Sequence, residues 1–213
     1  MRSLLSAVCV AAIVFPLLAE DPPADKATRR PRKRDDVAAP VKEQTVAELV
    51  TALKDPKLST RRQAAIALSG RGAAAASAVP ALISAVKDDK EPAMRSSAAE
   101  ALGGIGLAAR AAVPQLLDSL KDADPLVRES AAEALADINA EAKTVVPALV
   151  KLLGDPDMNV RCAAATSLGD FGTAAKDVVP ELKKALKDKH PFVREAAADA
   201  IQAIDKAGKR LDS

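Results

Sequence analysis

Five arginines, Arg61, Arg95, Arg128, Arg161 and Arg194, stand 34, 33, 33 and 33 residues apart. An aspartate precedes each by six positions: Asp55, Asp89, Asp122, Asp155 and Asp188. A guanidinium can fork onto a phosphate or a carboxylate, so the series is either a stripe for an external anion or a set of internal ion pairs. Few other side chains offer chemistry. His190 is the single histidine, so it has no second histidine to share a metal or a proton relay. It stands in the same column as Lys57, Glu91, Asp124 and Asp157, and Pro191 follows it, which places it at the start of a helix. Cys162 follows Arg161 inside an Ala-rich run with no histidine nearby and reads as a small helical residue. The chain has no Gly-rich phosphate loop, metal-ligand cluster or Ser/Cys–His pair. No catalytic residue, metal ligand or cofactor is therefore expected.

The elements that position the arginines are legible in the phrase each one opens. Arg-x-x-Ala-Ala-x-x-Leu occurs in four copies, and Ile201 replaces Leu in the fifth. Val-Pro pairs mark the seams at Val79-Pro80, Val113-Pro114, Val146-Pro147 and Val179-Pro180. A fixed period in this range is the signature of a solenoid, one supersecondary unit stacked many times. Hydrophobic residues make up 49% of the 213 and aromatic residues 1%, and the abundant Ala favours helices that approach closely.

The third unit shows the pattern. A first helix opens at Pro114 with Leu116, Leu117 and Leu120 at helical spacing. Asp124 can cap a second helix that has Pro125 at its first position. On that helix Arg128 shares one side with Ala131, Ala132, Leu135 and Ile138. The arginines thus fall on the apolar side and read as internal struts. Five helix pairs are expected over residues 45–213, as units 45–79, 80–113, 114–146, 147–179 and 180–210.

Residues 1–19 have one basic residue, Arg2, ahead of an apolar run that ends at Ala19. This is the layout of a signal peptide. The run is short for a membrane span and contains Pro16, so an exported protein, periplasmic or extracellular, is expected rather than an anchored one. Residues 20–44 are rich in Pro and charge, lack apolar periodicity, and read as a disordered linker. Within it Arg29, Arg30, Arg32, Lys33 and Arg34 form a candidate anion-binding cluster. The remaining residues balance to zero net charge, which gives no electrostatic reason to expect nucleic-acid binding.

The units DADPLVRESAAEALADI (Asp122–Ile138) and DPDMNVRCAAATSLGDF (Asp155–Phe171) resemble HEAT repeats, and among these the short PBS-lyase HEAT-like kind. The resemblance covers about residues 45–205. It implies an all-α, right-handed solenoid, and it implies that the turn Asp and helix Arg of stacked units form a polar ladder. That role carries onto Asp55, Asp89, Asp122, Asp155 and Asp188 and onto Arg61, Arg95, Arg128, Arg161 and Arg194. Relatives of this kind include bilin lyases and an iron-dependent hydroxylase. The hydroxylase resemblance implies paired His-Glu motifs, which one histidine cannot supply.

The exposed positions of the second helices are expected to be Gln63, Ser97, Glu100, Glu129, Ser130, Glu133, Thr166, Glu195 and Asp199. They form an acidic face of short side chains, suited to a basic or polar protein segment. The leading expectation is an exported, non-catalytic scaffold for protein partners, monomeric in itself. Its rivals are a lyase-type protein or accessory enzyme subunit, and anion binding through Arg29–Arg34.

Overall fold

In the computed structural model the described residues are 44–211, and among them only helices and turns occur. The segment read as an export signal, and the linker apart from Gln44, lie outside them. Ten α-helices follow in order: α1 (Val46–Ala52), α2 (Leu58–Gly70), α3 (Val79–Asp88), α4 (Pro92–Ile105), α5 (Val113–Ser119), α6 (Pro125–Asp137), α7 (Ala142–Leu152), α8 (Met158–Asp170), α9 (Val179–Ala185) and α10 (Pro191–Leu211). They pair as α1/α2, α3/α4, α5/α6, α7/α8 and α9/α10, and the even-numbered helices stack each on the next. This is the solenoid the period implies.

Local chemistry sets the helix starts. Thr45 opens α1 with a capping box: its hydroxyl accepts from Glu48 N–H, and the Glu48 carboxylate accepts from Thr45 N–H. Asp124 and Asp157 cap α6 and α8 through their side chains. Pro occupies an early position of α3, α4, α5, α6 and α9, where its missing N–H costs no intrahelical bond.

A third element in most units escaped the two-helix reading. Seven-residue 3₁₀ helices, Gly72–Ala78, Gly106–Ala112 and Gly172–Val178, lie between one pair and the next. Each begins on a glycine with φ of +54°, +72° and +54° respectively. The left-handed turn breaks the second helix and redirects the chain. Asn139, at φ 51°, takes this place in the third unit, one of the few non-glycine types that tolerates it. Here no 3₁₀ helix follows: α7 starts early, at Ala142, and carries Pro147 inside it.

The core repeats with the units. Leu49, Leu82, Leu116, Leu149 and Leu182 are sealed in the first helices, and Leu68, Leu102, Leu135 and Leu168 in the second. The second helices are buried on more than one face because each packs on its own partner and on the helices before and after it. Small residues permit this. A Cβ placed on Gly169 would lie 2.9 Å from Ala200 Cα, and one on Gly103 would lie 3.1 Å from Ala134 Cα.

This contact makes Gly169→Val a direct test of the α8–α10 seam. We expect a loss of about 1–3 kcal/mol in urea unfolding, the usual cost of overpacking. Undiminished stability would mean that the seam is looser than the backbone spacing implies.

Candidate functional site

The arginines point inward along the seams, held by their own turns. Nη1 of Arg95, Arg128, Arg161 and Arg194 donates to the carbonyl of the aspartate six residues earlier, at 2.8–3.0 Å, and to the following carbonyl. Arg61 does the same with Asp55 and Pro56. The other edge of the fork reaches the next unit. Nε and Nη2 of Arg95 both donate to Asp122 at 2.8 Å, those of Arg128 to Asp155 at 2.9 and 2.8 Å, and those of Arg161 to Asp188 at 2.8 and 3.1 Å. Arg61 Nη2 donates to Asp89 at 3.0 Å, while its Nε sits 2.8 Å from the other oxygen without hydrogen-bond geometry.

Each aspartate also accepts the N–H two residues on, from Lys57, Glu91, Asp124, Asp157 and His190. One carboxylate therefore shapes its own turn and binds the preceding unit. Four rungs result among the described residues, and Asp55 and Arg194 are the outer members with no rung beyond them.

Burial alone would raise the Asp122 and Asp155 carboxyls. The hydrogen bonds from Arg95 and Arg128, backed by the turn N–H groups, hold both below the ordinary carboxylate range. Asp188 is lowered by Arg161 first of all. The guanidiniums of Arg95 and Arg128 are raised in turn by the hydrogen bonds they donate to Asp122 and Asp155.

A second set of carboxylates makes no rung: Glu129 and Glu133 stand at four-residue spacing on α6, with Glu100 on α4 beside them and Asp137 one further turn along α6. Glu133 remains exposed, yet loss of surrounding water pushes its carboxyl up to about 7, with Glu129, Glu100 and Asp137 adding to the rise. Burial and then Asp157 and Glu100 raise Glu129, and burial and then Asp137 raise Asp170 on α8.

The face expected from sequence divides. Gln63, Glu100, Glu133, Glu195 and Asp199 are exposed, Glu129 and Thr166 are half-buried, and Ser97 and Ser130 are buried. The serines depart from expectation because their column faces the preceding second helix rather than water. Ser97 Oγ accepts from Arg62 Nε at 3.1 Å, and Ser130 Oγ lies 2.9 Å from Ser96 Oγ. Ser96 and Ser130 both donate to Glu100 at 3.1 Å, tying that carboxylate across the α4–α6 seam. Short polar residues among alanines were the available signal for a buried helix contact.

Cys162 is buried in α8, and His190 stands before α10 with its ring 5.5 Å from that of Phe192. A shallow depression of about 450 Å³ is lined by Arg110, Val113, Asn139, Ala140 and Glu141. Among the described residues no group of three or more His, Cys, Asp or Glu could hold a metal ion. No helix there is long and apolar enough to cross a membrane. The candidate anion cluster of Arg29, Arg30, Arg32, Lys33 and Arg34 lies outside the described residues.

The family model for HEAT repeats matches over residues 46–136, 79–157 and 146–210. Among solved structures, a chain of the complex of CpcE and CpcF of phycocyanin lyase from Nostoc sp. PCC7120 is 29% identical. It superposes with a TM-score of 0.66, covering 92% of this chain and 74% of that one. An engineered protein is 27% identical with a TM-score of 0.61, over 76% of this chain and 80% of that one. A computationally designed armadillo-repeat protein for modular peptide recognition, 22% identical with a TM-score of 0.57 over 74% and 81%, shares the fold. No curated protein sequence matches the chain.

The rungs and the acidic row give separable tests. Arg128→Ala leaves the Asp155 carboxylate without its cation, with 7% of that side chain exposed, so urea unfolding is expected to show a loss of about 3 kcal/mol. Arg194→Ala, at the exposed end, is expected to cost a fraction of that; equal losses would deny the rungs their role. The two sets also act oppositely with pH. Depressed rung aspartates supply stability above roughly pH 4 that is lost as pH falls through their folded values. Glu133 has the reverse sign, because its raised folded pKa makes stability fall as pH climbs from 4.5 to about 7. Glu133→Gln is therefore expected to raise Tm by about 1–3 °C at pH 8, after allowing for solvent screening, and to leave it unchanged near pH 4.5. A shift of the same size at both values would assign the effect to packing instead.

Proposed function

This chain belongs to the HEAT-repeat family, and on that premise we propose that it is an exported, non-catalytic scaffold that holds a basic protein segment on its stacked second helices. The observation that carries the reading is the uncompensated carboxylate row of Glu100, Glu129 and Glu133. The same fold gives its rung aspartates a guanidinium each, yet it leaves Glu133 crowded with other acids and raised to about 7. A cationic side chain placed there would lift that repulsion and gain a charge-assisted hydrogen bond. The described second helices carry no Trp or Tyr anchor, and their one exposed aromatic, Phe192, lies in the end unit away from Glu129 and Glu133, so affinity comes from many small contacts and stays modest. Export rests on residues 1–19.

A second reading is favoured by one finding, the likeness to a chain of the phycocyanin lyase complex over 92% of this chain. On that reading the protein is a lyase-type subunit or accessory. Incubation with a bilin and an apo-phycobiliprotein separates the two, since covalent pigment transfer supports the lyase role and its absence returns the weight to the scaffold.

For the scaffold, the probe is a Lys/Arg-rich peptide followed by fluorescence anisotropy at low salt. Binding is expected with a Kd on the order of 10 μM, weakening as salt rises. Glu129→Gln with Glu133→Gln is expected to raise Kd about 10-fold. Lowering the pH below 7 should weaken binding in step with protonation of Glu133. Affinity indifferent to these substitutions would remove the face from the proposal.

A further inference from the structure

The ladder stops at both ends on an unfilled half-rung, and the two halves are complementary. Arg194 is held as the interior arginines are, with Nη1 donating to the Asp188 carbonyl at 2.8 Å and to the Lys189 carbonyl at 3.2 Å. The edge of its fork that an interior arginine gives to the next aspartate meets no carboxylate among the described residues. At the other end Asp55 accepts the Lys57 N–H at 2.7 Å, as every interior rung aspartate accepts its own turn, and no guanidinium of the described residues binds it from outside.

The helix faces beside these groups match as well. The column four residues after each rung arginine is Ala65, Ala99, Ala132 and Ala165, all fully buried by the following unit, and then Ala198, which is exposed. The column six residues after is buried by the preceding unit at Ala101, Ala134, Ser167 and Ala200, but Ala67 in α2 is exposed. Glu195 stands where Arg62 and Ser96 reach the following unit, and Gln63 stands where Ser97 and Ser130 receive them. A Gln amide can donate to a Glu carboxylate. An Arg194–Ala198 stripe and a Gln63–Ala67 stripe thus face outward from opposite ends, with an acid on one set against an amide on the other.

We propose that the chain associates head to tail with a second copy of itself, α10 of one copy packing on α2 of the next, with Arg194 forking onto Asp55 of that copy. The contact is heterologous, using different patches on the two partners, so it propagates into linear arrays rather than stopping at a dimer. It would replace the monomer expected from sequence with an equilibrium that depends on concentration. Both half-rungs are already oriented by their own turns, so little side-chain freedom is lost on joining them.

Sedimentation velocity of the full chain over a concentration series tests this. The average mass is expected to climb from 22.0 kDa through successive multiples without a dimer plateau. Arg194→Asp and Asp55→Arg are each expected to weaken association by about 10-fold or more. An equimolar mixture of the two variants restores oppositely charged pairs at every junction and is expected to recover association. A wild-type chain that stays at 22.0 kDa throughout overturns the proposal, as does an Arg194→Asp chain that associates like wild type. Circular dichroism checks that Asp55→Arg, which loses a turn acceptor, remains folded. If it does not, the Arg194→Asp comparison decides alone.

Discussion

Everything in this structure depends on one guanidinium serving two units at once. The Nη1 of each rung arginine is committed to the carbonyls of its own turn, and the opposite edge to the aspartate 27 or 28 residues on. The aspartate repeats the arrangement, since it also accepts a backbone N–H of the turn that carries it. Buried ion pairs gain little net stability after desolvation, so the rung does not hold the stack together by strength. Its effect is on registry. A seam between Ala-rich helices could slide at small cost, because alanines are alike along the helix. A slid seam would strand four guanidiniums, two buried and two half-buried, with their carboxylates, and that penalty selects one alignment.

The small residues and the rungs therefore need each other. Gly103 against Ala134, and Gly169 against Ala200, bring the second helices so close that no side chain fits between them. At that spacing an arginine reaches the next turn with its fork flat against the carboxylate. Bulkier residues in those columns would lengthen every rung. The 3₁₀ turns contribute in the same way, with Gly72, Gly106, Gly172 and Asn139 each supplying the positive φ that ends a second helix at its place in the stack.

How much of this was legible in the sequence follows from what periodicity can encode. The repeat of Arg, Ala-Ala and Leu located the helices, the core leucines and the inward side of the arginines, because those features depend on spacing within one helix. Ser97 and Ser130 were misplaced because an apolar stripe marks only one buried face, whereas a second helix in a stack has several. The 3₁₀ turns were missed because a run such as Gly72–Ala78, almost all alanine, has no polar alternation to reveal its pitch. The candidate face was half legible: exposure was read correctly for Glu100 and Glu133, and Glu129 and Asp137 stand one turn either side of Glu133 on α6, but the approach of Glu100 from α4 and the loss of water around Glu133 arise only when the helices stack.

Acidic residues have two opposite fates here, and the difference lies in what stands across the seam. Asp122 and Asp155 are buried enough to be raised, and an arginine reverses the shift. Glu133 and Asp170 are raised with no such partner, and other carboxylates add to the rise. A fold that builds four charge-paired rungs has the means to neutralise an acid, so a row left without cations is not imposed by the repeat. The column that gives Glu100 and Glu133 holds Ile66 in the first unit, Thr166 in the fourth and Asp199 in the fifth, and all these second helices stack. Free to be apolar or neutral, the position is acidic in the second, third and fifth units, and at the second and third a bound segment would have units on both sides to lie across.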